Sequence, residues 1–251
     1  MVTTFNYIKI DGPSLYTGEL LKILAKNDVK AAFHVKVEYL NNPVILAYLR
    51  SAINDRHIVG LRLNNDDIRG DPKAVKASIE EKLQRISKVT NGYKVKFVRF
   101  PYIDSGVPDP IYKVVVEEMG LIPTNFNLDS RDYTGNLGEN AVVTVYKEFI
   151  DTIAPPAKGS FIAVQRDIIN ESVKQTGEVI KYLGDKGYKI LRLDQCIGKR
   201  IDGGAGVPTG DGGSGNGADT RRPADSYASS IEFSSFFYLM TMLAIFYMFR
   251  Q

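Results

Sequence analysis

Between Ile8 and Val35 the chain reads IKIDGPSLYTGELLKILAKNDVKAAFHV, and no other stretch limits the fold as tightly. Ile8–Ile10 is short, apolar and β-branched, which predicts a buried strand. Asp11-Gly12-Pro13 is turn chemistry at that strand's C-terminal end: glycine tolerates unusual φ, and proline presets φ for the next element. Thr17 is placed to cap a helix over Gly18–Ala25 that turns Leu20, Leu21, Ile23 and Leu24 towards a core. Asn27-Asp28 closes that helix, and Val29–Val37 predicts a second strand. An aspartate at the C-terminal end of a parallel strand sits where α/β folds carry their chemistry. It is also an ordinary turn former, so Asp11 alone decides nothing.

The same unit recurs along the chain. Pro43–Ile53 has a helical apolar period, and His57–Leu63 is a strand-like run ending in Asn64-Asn65-Asp66-Asp67. Asp71-Pro72 opens a helix with Val75, Ile79, Leu83 and Ile86 three or four apart, and Asn91-Gly92 stops it. Val95–Val98 leads into Arg99-Phe100-Pro101-Tyr102. Pro110–Met119 is helical with Gly120 as its cap, and Leu121–Leu128 leads to Asp129-Ser130-Arg131-Asp132-Tyr133. Val142–Ile153 is a helix broken by Pro155-Pro156. Ser160–Val164 is a strand running into Gln165-Arg166-Asp167, Ser172–Leu183 is the last long helix, and Tyr188–Leu193 is a final strand. Strands alternating with helices imply a mainly parallel sheet, and this many units favour a barrel over an open sheet. Each polar cluster follows a strand, so all of them fall on one rim.

With 251 residues, 44% apolar and 24% charged, the chain suits one sizeable domain with appendages. A formal charge of +3, with no basic run interleaved with aromatics, argues against a nucleic-acid partner. Cys196 is the only cysteine, which excludes an intrachain disulfide and a thiolate metal cluster. The two histidines, His34 and His57, lie in apolar runs and are expected to be packed rather than metal-ligating.

The composition changes after residue 200. Residues 201–230 are rich in Gly, Ser and Asp and cannot bury a core, so they form a flexible linker. Residues 231–251 are a hydrophobic tail: Phe233–Phe249 carries no charge and is followed by Arg250-Gln251. As a helix that segment would be about 25 Å long, the short end of a membrane span. Three readings stand: a retained membrane anchor, a glycolipid-attachment signal, or an extra packed helix. Small residues at Asn216-Gly217-Ala218 and a polar spacer favour the glycolipid signal, which expects a cell-surface location. Met1–Tyr7 has neither a basic nor an apolar leader pattern, so a glycolipid signal also expects a secretory leader missing from this sequence.

Ile-Lys-Ile-Asp-Gly-Pro at 8–13, Arg-Phe-Pro-Tyr at 99–102 and Asp-Ser-Arg-Asp-Tyr at 129–133 together resemble three motifs of the polysaccharide deacetylase (NodB-type, chitin deacetylase-like) family. Gly-Tyr-Lys-Ile-Leu-Arg-Leu-Asp at 187–194 resembles its closing strand, and microsporidian spore-wall members with glycolipid tails look nearest. The resemblance implies a distorted (β/α) barrel over residues 1–200. It also implies removal of N-acetyl groups from chitin-like N-acetylglucosamine glycans, using zinc or another divalent metal held by one Asp and two His. Such a metal acidifies a bound water, while a carboxylate base and a His acid move protons.

Carried over position by position, the machinery is incomplete. Asp11 matches the metal-ligand Asp, but the base position is Ile10. The His-x-x-x-His ligand positions are Arg62 and Asp66, and the acid position is Arg166. Arg99, Pro101, Tyr102, Asp129, Asp132 and Tyr133 match family positions; the resemblance has the Arg orient the base and the Tyr102 N–H bind the oxyanion. The expectation is a pseudo-enzyme without a metal cofactor, in which Arg62 neutralises Asp11 and Arg166 pairs with Asp129 or Asp132. Simple drift at a disused site is the bland reading of the same replacements. The functional expectations are glycan binding by Tyr102, Tyr133 and Arg99, or a purely structural wall role. The alternative is an active deacetylase with Asp11, Asp66 and Asp67 holding a hard cation.

Overall fold

The computed structural model describes residues 5–101, 106–134, 138–152 and 160–197. In these residues the strands are β1 (Phe5–Asp11), β2 (Ala32–Val35), β3 (Ile58–Arg62), β4 (Phe97–Arg99), β5 (Ile122–Pro123), β6 (Leu128–Asp129), β7 (Phe161–Arg166) and β8 (Lys189–Ile190). Between them run α1 (Thr17–Lys26), α2 (Pro43–Asn54), α3 (Pro72–Val89), α4 (Asp109–Tyr112), α5 (Ala141–Thr152), α6 (Asn170–Asp185) and the short α7 (Leu193–Cys196). All ladders are parallel, in the order β5-β4-β3-β2-β1-β7-β6, and β8 pairs with the start of β1. Among the described residues no ladder joins β5 to β6, so the sheet curls into a half-barrel, the distorted (β/α) barrel expected from the sequence.

Period-two alternation decides what each strand contributes. Ile10, Phe33, Val35, Val59, Leu61 and Val98 pack under the helices, against Leu20, Leu24 and Val173 on one side and Leu49, Ile79 and Ile86 on the other. Phe161 and Ala163 do the same beneath α5 and α6, where Tyr146 and Leu183 close the layer. Ala32, Ile58 and Phe97 point the other way and fill the barrel floor with Leu193. The interior positions nearer the strand ends are Asp11, His34, Arg62, Arg99 and Arg166, on the rim where the strands finish. Each fully buried Leu, Ile or Phe side chain contributes about 1.5–3 kcal/mol, so this layered packing holds the rim in place.

Several expected boundaries move. The strand expected over Val29–Val37 is shortened to Ala32–Val35, because the Val29 N–H bonds back to Leu24 O and Val37–Asn41 winds into a 3-10 turn. The helix expected over Pro110–Met119 becomes one α-turn followed by a π-helical turn, Lys113–Glu118, closed by Gly120 at φ +65°. The closing strand expected over Tyr188–Leu193 is only Lys189–Ile190, because Leu193 turns into the barrel floor. Thr17 does not cap α1; its hydroxyl turns inward and hydrogen-bonds Asp167. The expected Pro155-Pro156 break, the 201–230 linker and the 231–251 tail lie outside the described residues. Among the described residues no helix is long and apolar enough to cross a membrane.

Candidate functional site

The rim gathers three arginines and three aspartates from five strand ends. Arg62 and Arg99 are ladder partners at the ends of β3 and β4, and Asp11 is the ladder partner of Arg166 across β1 and β7. Asp11 is buried, and its Oδ2 receives both guanidinium groups: a direct hydrogen bond from Arg99, and Arg62 Nη1 at 3.4 Å. Its Oδ1 is buried with no hydrogen-bond partner among the described residues. Burial, followed by the nearby Arg166 charge, pushes the Arg99 pKa down to about 10. Burial lowers Arg62 as well, with the Tyr39 phenol opposing it and Arg166 adding to it. Ionised carboxylates at this depth need such partners, and Asp11 has two.

The second half of the site centres on Arg166. Its Nη1 donates to Asp132 at 2.7 Å and to Asp129 at 3.0 Å, and its backbone N–H donates to Asp132 Oδ2 at 2.6 Å. The Ser172 hydroxyl, in the first turn of α6, donates to the same Asp132 oxygen at 2.7 Å. Burial would lower the Arg166 pKa, but the two carboxylates outweigh it and the net shift is upward. The Tyr133 ring lies over the guanidinium, 4.2 Å from Cζ to the ring centroid, and is 56% exposed. Beneath, burial and the Asp132 and Asp129 charges raise the pKa of the Tyr146 phenol. Sequence reasoning missed Ser172, which looked like an ordinary helix start.

Behind the rim, Asp167 is buried beside the glycine turn. Its carboxylate accepts from the Thr17 hydroxyl, its backbone carbonyl accepts from the Ser14 hydroxyl at 2.7 Å, and its Oδ1 has no partner among the described residues. Burial pushes its pKa up to about 7, against the opposing hydrogen bonds from Thr17 and Ser14. A Cβ at Gly12 would overlap this carboxyl, so glycine there is required by close approach as well as by the turn. The sequence signal was available in the small Ser14 and Thr17 side chains, but Thr17 reads equally well as a cap.

Other expected site residues fall elsewhere. Ile10 is fully buried in the apolar cluster under α1 and α6, on the face of β1 opposite Asp11, so nothing at that position addresses the cleft. Asp66, at a substituted metal-ligand position of the resemblance, faces away from Asp11. Its side chain is 88% exposed and pairs with Arg69 at 3.1 Å, because Asn65–Ile68 winds into a 3-10 turn away from the rim. Asp67 is tied to Lys82 at 3.2 Å and to the Asn64 N–H at 2.8 Å. The Asp11, Asp66 and Asp67 set for a hard cation is therefore not assembled, and no group of three potential ligands comes together among the described residues. Pro101 is half-buried after β4, and Tyr102 lies outside the described residues.

His34 and His57 are both buried. His34 Nε2 sits 2.8 Å from the Thr124 hydroxyl, and His57 Nδ1 accepts the Ala31 N–H at 3.0 Å. Burial, then the Lys30 charge, drops the His57 pKa to about 4, so it stays neutral and structural. A divalent metal at Asp11 would have to displace two cations, and the imidazole on its ladder partner, His34, is buried with its Nε2 2.8 Å from the Thr124 hydroxyl. The residues present do not fit one: each rim carboxylate is engaged by an arginine, and the His34 imidazole is buried.

No protein-family model matches the chain. It is 27% identical to a chitin deacetylase of Colletotrichum lindemuthianum over 75% of this chain and 77% of that protein. The structure of the chitin deacetylase from that fungal pathogen superposes with a TM-score of 0.69 at 23% identity, covering 78% of this chain and 88% of the other. A CE4-family pseudoenzyme from Bacillus anthracis gives 0.64 at 18% identity, covering 80% and 68%. The chain is thus similar in sequence to a chitin deacetylase, and it has the NodB-type distorted (β/α) barrel of its structural neighbours.

Proposed function

We infer that this chain is a non-catalytic, chitin deacetylase-like protein that binds an N-acetylglucosamine-type glycan at a cell or spore wall, where its apolar tail anchors it. One observation carries the reading: the carboxylate that would hold the metal, Asp11, is instead held by Arg62 and Arg99. With Ile10 in the core and Arg166 committed to Asp129 and Asp132, the two positions that resemble the family's base and acid carry no group that takes or gives a water proton.

The glycan part of the reading rests on the rim's surface chemistry. Leu15, Tyr16, Tyr133 and Ile168 are exposed large apolar side chains on the loops that follow β1, β6 and β7. Tyrosine rings pack on sugar faces while their hydroxyls meet sugar hydroxyls. The likeness to a chitin deacetylase points to N-acetylglucosamine polymers as the ligand, and likeness to a pseudoenzyme of the same fold supports binding without turnover. The wall location rests on the tail's composition and on the resemblance to spore-wall members with glycolipid tails.

The test is paired. Chito-oligosaccharides incubated with the full chain and added zinc, cobalt or manganese should release no acetate above buffer, and calorimetric titration should give saturable binding that Tyr133→Ala weakens several-fold. Metal-dependent acetate release would overturn the non-catalytic part, and absence of saturable binding would overturn the glycan part.

A further inference from the structure

The cations of the rim are not all matched. Arg62 has five N–H donors and makes one ion pair among the described residues, at 3.4 Å, with an Asp11 oxygen that Arg99 already holds. Its side chain is 27% exposed, so it remains accessible to water. Val35 and Leu61 are ladder partners, so the next residues on each strand, Lys36 and Arg62, leave the sheet side by side. Lys36 makes no ion pair among the described residues, and burial followed by the Arg62 charge lowers its pKa, as expected for two neighbouring cations. Glu38 and Asp67 oppose that lowering only in part, because both are bound to Lys82, at 3.4 Å and 3.2 Å.

The opposite half is more closely paired. There one guanidinium, Arg166, serves two carboxylates, Asp129 and Asp132. The less closely paired cations of the rim therefore lie at the ends of β2 and β3, while at the end of β6 Asp129 and Asp132 share Arg166 and flank the exposed Arg131. A neutral chitin-like polymer makes no use of these charges.

We propose that the cleft selects a glycan carrying an oxyanion, with a sugar carboxylate seated between Arg62 and Lys36 and the neighbouring sugar ring reaching towards Tyr133. A guanidinium with free N–H groups matches a carboxylate by paired hydrogen bonds, and Lys36 adds a flexible point charge beside it. Low-dielectric walls focus that field on a ligand entering the cleft. The inference rests on the glycan-binding reading above and names the class of sugar.

Titration of the full chain with trigalacturonate, triacetylchitotriose and inorganic phosphate tests it at low and high salt. The expected result is trigalacturonate binding about ten- to a hundredfold tighter than triacetylchitotriose at low salt, the scale of one charge-assisted pair, with the gap narrowing as salt rises. Arg62→Gln should close most of the gap, and Lys36→Gln, a milder surface change, should narrow it several-fold. Equal or weaker binding of trigalacturonate, or a gap that neither variant changes, overturns the inference while triacetylchitotriose binding keeps the glycan reading. Phosphate binding as tightly as trigalacturonate also overturns it, since the sugar would then contribute nothing. Binding by neither saccharide overturns the glycan reading and the inference together.

Discussion

Arg62 reaches over β2 to place its Nη1 3.4 Å from Asp11 Oδ2, on the oxygen that Arg99 also holds. The two contacts differ in depth. Arg99 is buried, whereas Arg62 lies at the mouth and meets water. Asp11→Asn removes the counter-charge of a buried guanidinium and should cost about 3–5 kcal/mol. Arg62→Gln leaves the Arg99–Asp11 pair intact and should stay within about 1 kcal/mol of the parent. Urea unfolding midpoints of the two variants check the ranking; equal losses would mean that Asp11 depends on both cations alike.

Restoring a carboxylate at the family's base position should not restore chemistry. Ile10 fills the cluster formed with Leu20, Leu24 and Val173, on the helix side of β1. Ile10→Asp therefore loses a core side chain worth about 2–5 kcal/mol and adds a charge facing apolar neighbours. We expect a much less stable protein that releases no acetate from chito-oligosaccharides, with or without zinc. A stable variant with zinc-dependent release would show that position 10 can turn to the cleft.

The glycine turn and Asp167 are sterically coupled. Gly12→Ala drives a methyl into a carboxyl that Thr17 and the buried loop keep from moving, and should destabilise by about 1–3 kcal/mol. Asp167→Ala removes the obstacle, so the double variant should be more stable than the sum of the single losses predicts. A double-mutant cycle by thermal unfolding measures that coupling, and strict additivity would sink the steric account.

Asp167 also predicts a pH dependence of stability. Its folded pKa, near 7, lies above the ordinary value of 3.8, so protons bind the folded chain more tightly. The stabilisation is complete below about pH 4 and is lost as pH rises through about 7, on the order of a few kcal/mol for this group. Asp167→Asn mimics the protonated form and should remove that slope, so the variant gains on the parent between acid and neutral pH. Parallel unfolding curves across that range would contradict the assignment.

Metal affinity should be weak. After dialysis against excess zinc and then buffer, mass spectrometry of the chain, purified without a metal column, should find well under one zinc per chain. A stoichiometric, tightly held zinc abolished by Asp11→Asn would mean that Arg62 and Arg99 give way to it.

Much of the architecture is local and was readable from residues alone. The strand–helix alternation, the run of polar clusters after strands and the proline starts of α2 and α3 are properties of neighbouring residues, so the parallel barrel and its single functional rim follow from periodicity and turn chemistry. The pairing of Arg62 with Asp11 and of Arg166 with Asp129 or Asp132 was reachable because each replaces a group expected at a strand end. The facing of Ile10, the swing of Asp66 into solvent, the inward turn of the Thr17 hydroxyl and the company of Lys36 beside Arg62 were not. Each depends on which side of a strand or turn a side chain leaves, and on which distant segment packs there. A one-residue change of phase reverses the side, and only the assembled sheet and its helices determine the phase.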